Sequence, residues 1–407
     1  MSNDEREFSV EVIRTLREAG FEALWAGGCV RDSLLGREPG DYDVATSAKP
    51  DEVRALFKRT LGVGAAFGVM IVLGRSKSQG QIEVATFRAD GEYLDGRRPS
   101  DVTFCSAEQD ALRRDFTING MFFDPVAEEV IDYVGGQEDL KRQVIRAIGN
   151  PAERFEEDKL RLLRAVRFAA RFDFAVEEET SAAIRQMASQ LNVVSAERVA
   201  QELRKMLEHP NRSLAVRLSA NHGLLGQVFP ELDLHDKSSL SSILNGLDRL
   251  PTDASFEVSL SIVLQSLNAK TVNQICRRLR LANKETDSIT WLIKNKDALR
   301  GVAEFSLAKL KRLLIQPLVT SLFQFARARS VESDVSDAEF GERYLAANAV
   351  ETINPPLLLT GDDLIAAGFK PGPGFKTLLD RVRDAQLNDE ITTCDAALNL
   401  ARSLAGR

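Results

Sequence analysis

A mixed α/β layer followed by a long all-helical remainder is the fold class this sequence predicts. Up to about residue 138, short apolar runs alternate with helical stretches and glycines punctuate them. From Asp139 onward glycine and proline become widely spaced and the apolar spacing is that of helices. A length of 407 residues also exceeds what one core normally serves, so several domains are expected.

The elements follow in order. "MSNDEREFSVEVIRTLREAG" has the period of an amphipathic helix with acids early, so it is expected to be neither a signal nor a transit peptide. "FEALWAGG" predicts a buried strand ending in glycines, "CVRDSLLG" a helix stopped by Gly36, "DYDVATS" a second strand and "KPDEVRALFKRT" a helix. "GVMIVLGRSKSQGQIEVATFR" reads as two strands around a polar turn. Beyond them "EEDKLRLLRAVRFAARF", "EETSAAIRQMASQL", "SAERVAQELRKMLEH" and "VNQICRRLRLANKETDSITWLIKNK" predict helices. Breaks at "EHPNRS" and "ETINPPLLLTGDD" suggest seams, giving expected pieces 1–138, 139–210, 211–350 and 351–407.

Composition narrows the class. Hydrophobic residues are 44% and charged residues 28%, which is globular rather than disordered or fibrous. A net charge of -7 does not announce a nucleic-acid partner, so any basic surface must be local. Cys29, Cys105, Cys276 and Cys394 form no C-x-x-C pair, which argues against a disulfide framework or zinc ribbon and predicts a reducing, cytoplasmic setting. His209, His222 and His235 are dispersed, against a histidine-rich metal site. No apolar run reaches the roughly 18 residues of a membrane span. Oligomeric state is not legible.

The chemistry concentrates in "GGCVRDSLLGREPGDYDVATS". On a strand, Asp41 and Asp43 share a face and Tyr42 takes the other, so two carboxylates converge. Hard divalent cations suit such oxygen ligands, and Mg²⁺ is commonly held by one or two carboxylates plus a substrate's phosphates. Gly27 and Gly28 would let a triphosphate approach the main chain at a helix start, with Arg31 in reach. Glu83, interrupting the apolar run "QIEVATF", is a third candidate acid; an exposed edge position would explain it equally. D-x-D and G-G also occur in plain turns, but together these parts suit nucleotidyl transfer.

Read as one helix, "EEDKLRLLRAVRF" places Asp158 beside Arg161, with Arg164 and Arg167 continuing the row. A surface ion pair would look the same. As a site, a carboxylate accepting from an exocyclic amine and a guanidinium donating to the neighbouring ring nitrogen would accept cytosine and adenine and reject uracil and guanine.

"GGCVRDSLLG", "DYDVATSA", "LRRDFTINGMFFDP" and "RFEEDKLRLLRAVRFAARFDF" together resemble the class II branch of the tRNA nucleotidyltransferase and poly(A) polymerase superfamily. The likeness covers about the first 210 residues, and "LTGDDLIAAGFKPGPGFKTLLDRVRDAQL" resembles its helical tail. The resemblance implies an α/β nucleotidyltransferase head, a mixed sheet with helices, followed by an all-α neck, body and tail. It implies Mg²⁺ at Asp41 and Asp43, two ions in all, and CTP and ATP as substrates. Arg114 and Asp115 would contact the nucleotide and its ribose, with Asn119 closing that nucleotide-binding motif, Asp158 and Arg161 would read the base, and Arg164 and Arg167 would lie toward triphosphate or base. Residues 88–104 resemble the loop that helps such enzymes pass from C to A.

The implied activity is completion of the CCA end of tRNA, acting on the acceptor arm. A poly(A) polymerase or an A-adding enzyme shares the chemistry. An inactive RNA-binding module and a small-molecule nucleotidyltransferase are further alternatives; intact acids oppose the first, and the long helical half opposes the second. "AKLKRLL" and "ICRRLRL" are candidate phosphate contacts or simply wet helix faces.

Overall fold

The computed structural model describes residues 3–64, 68–90, 102–329, 332–372 and 374–406. By contact density the chain divides into two compact units, Met1–Met206 with Leu214–Pro230, and Leu207–Ser213 with Glu231–Arg407.

The first unit opens with α1 (Asn3–Glu18), β1 (Ala23–Ala26), α2 (Gly28–Leu34), β2 (Val44–Thr46), α3 (Pro50–Leu56), β3 (Thr60–Gly64), β4 (Val69–Leu73) and β5 (Gln81–Thr86). It continues with β6 (Arg88–Asp90), β7 (Val102–Phe104), α4 (Ala107–Leu112), a 3₁₀ turn at Thr117–Asn119, β8 (Phe122–Asp124), β9 (Glu129–Ile131) and α5 (Gly136–Arg142). Then come β10 (Val144–Ile145), α6 (Pro151–Glu157), α7 (Arg161–Phe172), β11 (Ala175–Val176), α8 (Glu178–Met187), a second 3₁₀ turn at Ala188–Val193, α9 (Ala196–Leu207), α10 (Arg212–Asn221) and α11 (Leu224–Val228).

Strands form a seven-stranded mixed sheet in the order β3-β4-β5-β2-β1-β8-β9. Only β2 and β5 pair in parallel; the other neighbours are antiparallel. β1 is "ALWA", buried throughout, because it lies between β2 and β8. β4 and β5 alternate, burying Met70, Val72, Ile82 and Val84 and leaving their other face open. β5 is interior to the sheet, so Glu83 is no edge residue; it projects from that open face.

The structure corrects several sequence readings. β2 starts only at Val44, so Asp41 and Asp43 lie in the extended segment before it. Gly27 turns the chain away just after β1 at φ 70, which leaves no partner strand opposite Asp41. The helix expected through "EEDKLRLL" breaks at Asp158, whose φ of -146 and ψ of 104 are extended. Its carboxylate accepts the Leu160 amide and its carbonyl the Arg161 amide, so it starts α7 rather than continuing α6. Asp158 and Arg161 are therefore not neighbours on one helix face. Two short strands, β10 and β11, also occur beyond Asp139 and pair in parallel.

The second unit is helical: α12 (Lys237–Arg249), α13 (Phe256–Val263), α14 (Ala269–Arg278), α15 (Asn283–Lys294), α16 (Leu307–Leu314), α17 (Val319–Arg329), α18 (Glu332–Ala347), α19 (Val350–Ile353), α20 (Gly361–Ala366), α21 (Phe375–Leu387) and α22 (Cys394–Leu404). The single helix expected across residues 272–296 is two, parted where Arg280 takes a φ of 53. Leu359, Leu364, Phe369, Val382, Ala397 and Ala401 gather the C-terminal helices around their own apolar cluster. No helix among the described residues is long and apolar enough to cross a membrane.

Candidate active site

The sheet end that carries Gly27, Asp43 and Glu83 forms the floor of a cleft of about 530 Å³ in the first unit. Backbone pairing sets the placement. Ala26 N–H donates to the Asp43 carbonyl at 3.0 Å, and Gly27 N–H to that of Met121 at 3.2 Å. The β2–β5 register, Val44 opposite Val84, brings Asp43 alongside Glu83. Tyr42 turns the other way and packs on Trp25 with ring centroids 4.9 Å apart, so the two aspartates share a side as expected even without a strand. Asp41, Asp43 and Glu83 all line the cleft.

Burial, with Asp41 and Glu83 adding like charge and Arg114 opposing, pushes the Asp43 carboxyl up to about 7. A crowded carboxylate pair of this kind is relieved by a cation. No cluster of three or more His, Cys, Asp or Glu side chains suited to hold a metal occurs among the described residues. Asp41 and Asp43, lining one cleft, fit an ion that takes two carboxylates from the protein and its other oxygens from substrate, which is the habit of Mg²⁺. Behind this segment the Cys29 thiol is buried and pushed up to about 12, chiefly by burial and then by Asp43; it is inert packing.

Above the acids the wall is rich in arginine. Gly27 needs its positive φ, and a Cβ there would lie 3.0 Å from Arg114 Nη1, so glycine lets the guanidinium pass close to the main chain. Arg31, in the first turn of α2, donates through Nη1 to Asn119 Oδ1 at 2.5 Å and through Nε to Asp32 Oδ1 at 2.8 Å. Its guanidinium carbon lies 4.7 Å from the Phe172 ring centroid and 5.5 Å from that of Phe168. Arg113 and Arg114 are both held by the buried Asp110, at 2.7 and 2.9 Å, and this pairing outweighs burial to draw the Asp110 carboxyl below its usual range.

Asp115 is at the centre of a continuous network. One oxygen accepts from the Phe116 amide at 2.8 Å and Asn119 Nδ2 at 3.1 Å; the other accepts from Arg164 Nε at 2.8 Å and Nη2 at 2.5 Å. Burial alone would raise its carboxyl, but Arg164, the Asn119 hydrogen bond and Arg161 take it to about 2. Those bonds use the capacity of a carboxylate, so a ribose hydroxyl would have to replace one of them. Glu202 on α9 accepts from Arg167 at 2.5 Å and lies 3.9 Å from Arg164.

Asp158 and Arg161 both line the cleft but take other partners. Arg198 grips Asp158 at 3.1 and 2.6 Å. Arg161 donates to Glu157 at 2.5 Å and to the carbonyls of Arg154 and Arg113. The structure thus brings Gly27, Gly28, Arg31, Asp41, Asp43, Glu83, Arg114, Asp115, Asn119, Asp158, Arg161, Arg164 and Arg167 to one cleft. Sequence reasoning missed the acids that hold its arginines, Asp32, Asp110, Glu157 and Glu202, and also Arg171, which shares the wall. The i,i+4 spacing of Arg198 and Glu202 on amphipathic α9 was the available signal. Of the loop expected at 88–104, residues 91–101 lie outside the described residues.

The basic runs of the second unit are largely committed to its own structure. Lys311 pairs with Asp389 at 3.1 Å, Arg312 with Asp384 at 2.5 Å and Arg278 with Glu231 at 2.6 Å.

A mixed sheet with clustered carboxylates at one end and an arginine-lined wall above them defines a nucleotidyltransferase head. Residues 23–146 match the poly A polymerase head domain, and residues 173–235 a probable RNA and SrmB- binding site of polymerase A. A CCA-adding enzyme of Geobacillus kaustophilus is 35% identical over 387 residues, 95% of this chain and 93% of that protein. One from Enterococcus faecalis is 48% identical over 202 residues, 49% of each chain. The crystal structure of the Bacillus stearothermophilus CCA-adding enzyme in complex with CTP superposes with a TM-score of 0.81 at 30% identity, over 100% of this chain and 99% of that one. The chain belongs to the family of CCA-adding enzymes.

Proposed function

We propose that this chain adds C, C and A to the 3′ end of tRNA from CTP and ATP without a nucleic-acid template, in the cytoplasm. The observation that carries the reading is one cleft with Asp41, Asp43 and Glu83 at its floor and Arg31, Arg114 and Arg161 along its wall. That is a place for a triphosphate next to a place for a base. Asp41 and Asp43 would hold Mg²⁺, and Glu83 would add to the negative field beside them. Magnesium held there, as two ions in the two-metal form of this chemistry, would supply Lewis-acid help to the attacking hydroxyl and charge neutralisation to the leaving pyrophosphate. The terminal ribose hydroxyl of the RNA then attacks the α-phosphate.

The protein's share is positioning and charge. Gly27 and Gly28 leave room for the phosphates beside Arg31 and Arg114. Asp115 and Asn119, tied to Arg164 and Arg31, set the wall on which the ribose rests. Asp158 keeps unused lone-pair capacity and Arg161 unused N–H groups after their protein contacts, so an amine and a ring nitrogen can still be met. Arg164 and Arg167, held by Asp115 and Glu202, keep the row in register.

Supplying CTP and ATP separately to tRNA ending before CCA, after C, or after CC, and to an unstructured RNA, tests the reading. C then A addition restricted to tRNA is expected; A alone on any RNA would make it a polyadenylating enzyme instead. Asp43→Ala is expected to lower incorporation by at least about a hundredfold, the order lost with one transition-state stabilising group. Unchanged incorporation would point to a binding module.

A further inference from the structure

Asp32 is 6% exposed. It follows Arg31 directly on α2, and side chains one apart on a helix do not ordinarily face each other. Here they do: Arg31 folds back so that Nε and Nη2 both lie 2.8 Å from Asp32 Oδ1. The other carboxylate oxygen is 3.6 Å from Arg171 Nη2. Arg171 stands on the cleft wall, its side chain 40% exposed, with its guanidinium 5.3 Å from the Phe172 ring. One buried carboxylate therefore lies between two guanidiniums of the same wall.

We propose that Asp32 is a positioning residue for the phosphate tail of the incoming nucleotide, orienting Arg31 and Arg171 toward the space beside Gly27 and Gly28. This rests on reading the cleft as a nucleoside triphosphate site. With Nε and Nη2 held by Asp32 and Nη1 by Asn119, the guanidinium is fixed against the Phe168 and Phe172 rings. Arginine loses most of its rotamer freedom before the ligand arrives, and that preorganisation adds to affinity. Substrate is not touched by Asp32 itself.

A carboxylate among arginines could instead serve only to reduce their mutual repulsion, and the two roles separate cleanly. Asp32→Glu keeps the charge and displaces the oxygens; Asp32→Asn keeps the acceptor that holds Arg31, removes the charge and turns an amide NH2 toward Arg171. Titration calorimetry on the full chain with magnesium tripolyphosphate, CTP and CMP reads both. For Asp32→Glu, tripolyphosphate and CTP binding are expected to weaken about tenfold, the factor supplied by one charge-assisted hydrogen bond. For Asp32→Asn they should stay within about threefold, and CMP should bind all three proteins alike.

Wild-type binding by Asp32→Glu, or several-fold tighter binding by Asp32→Asn, would overturn the proposal in favour of charge relief. Loss of CMP along with tripolyphosphate in either variant would overturn it by making Asp32 merely structural. A wild-type chain that binds neither CTP nor tripolyphosphate would instead overturn the nucleotide reading on which it stands.

Discussion

Arg161 spends part of its guanidinium on protein, Nη1 on Glu157 and the Arg154 carbonyl and Nη2 on the Arg113 carbonyl. What remains can donate to one ring nitrogen. Cytosine and adenine offer an acceptor there beside an amine, whereas uracil and guanine offer an N–H beside a carbonyl, which would face donor to donor. A mismatch leaves buried polar groups unpaired at about 1–3 kcal/mol. Arg161→Ala is therefore expected to raise UTP use relative to CTP by about tenfold or more, since roughly 1.4 kcal/mol is a factor of ten. Competition between labelled nucleotides on one tRNA end measures it, and undiminished rejection of UTP would remove Arg161 from base reading.

Elements hold these residues in register, and small side chains decide whether they can. α5 begins at Gly136, where a Cβ would lie 2.3 Å from the Thr117 carbonyl oxygen and 2.8 Å from Met121 Cγ. Thr117 belongs to the 3₁₀ turn that carries Asn119, so the clash in Gly136→Ala falls on a turn that holds a cleft residue. About 1–3 kcal/mol of destabilisation is expected, the range of overpacking in a filled core. CTP affinity should fall with it; a melting scan and a CTP titration on one sample check both, and unchanged CTP binding would show that the turn does not position the site. The sequence carries "VGGQEDL" but no sign that its second glycine touches residue 117, because that contact exists only once α5 has packed.

The same limit separates what was legible from what was not. The G-G, D-x-D and arginine row are local patterns, and the cleft assembles them. The pairings Asp158–Arg198, Asp115–Arg164 and Arg167–Glu202 span long stretches of chain, so helical spacing could mark Arg198 and Glu202 but not their partners; the break at Asp158 is local, and a continuous helical period hides it.

Another joint between elements carries a pH signature. His222, buried after α10, meets the Ser181 hydroxyl of α8 at 2.8 Å through Nε2 and the Leu218 carbonyl at 2.8 Å through Nδ1. Burial lowers its affinity for a second proton, the Leu218 carbonyl opposes this, and Arg185 reinforces it. With the folded value depressed, its contribution to stability is present above the unfolded value of about 6.5 and is lost as pH falls from there through the folded value. Unfolding temperatures at pH 7.5 and pH 5.5 should converge in His222→Gln relative to wild type. Equal slopes in the two proteins would assign the acid loss to other groups.

At the scale of the whole molecule, the second unit has stabilising contacts of its own that do not belong to the nucleotide cleft. Every residue lining the nucleotide cleft belongs to the first unit. In the second unit Lys311, 1% exposed, directs its ammonium to Asp389 at 3.1 Å, joining α16 to the end of α21, while the Ala308 amide donates to Asn388 beside it. Removing the carboxylate leaves a buried ammonium without that partner. Asp389→Ala should cost about 1–3 kcal/mol, below the figure for a fully buried pair because Asp389 is itself 64% exposed to water. The expected result is a lower unfolding temperature with the CTP dissociation constant unchanged, because the cleft is lined by residues of the first unit. A parallel loss of CTP affinity would mean that the helical unit sets the geometry of the cleft, and the separation of folding from binding by unit would have to be abandoned.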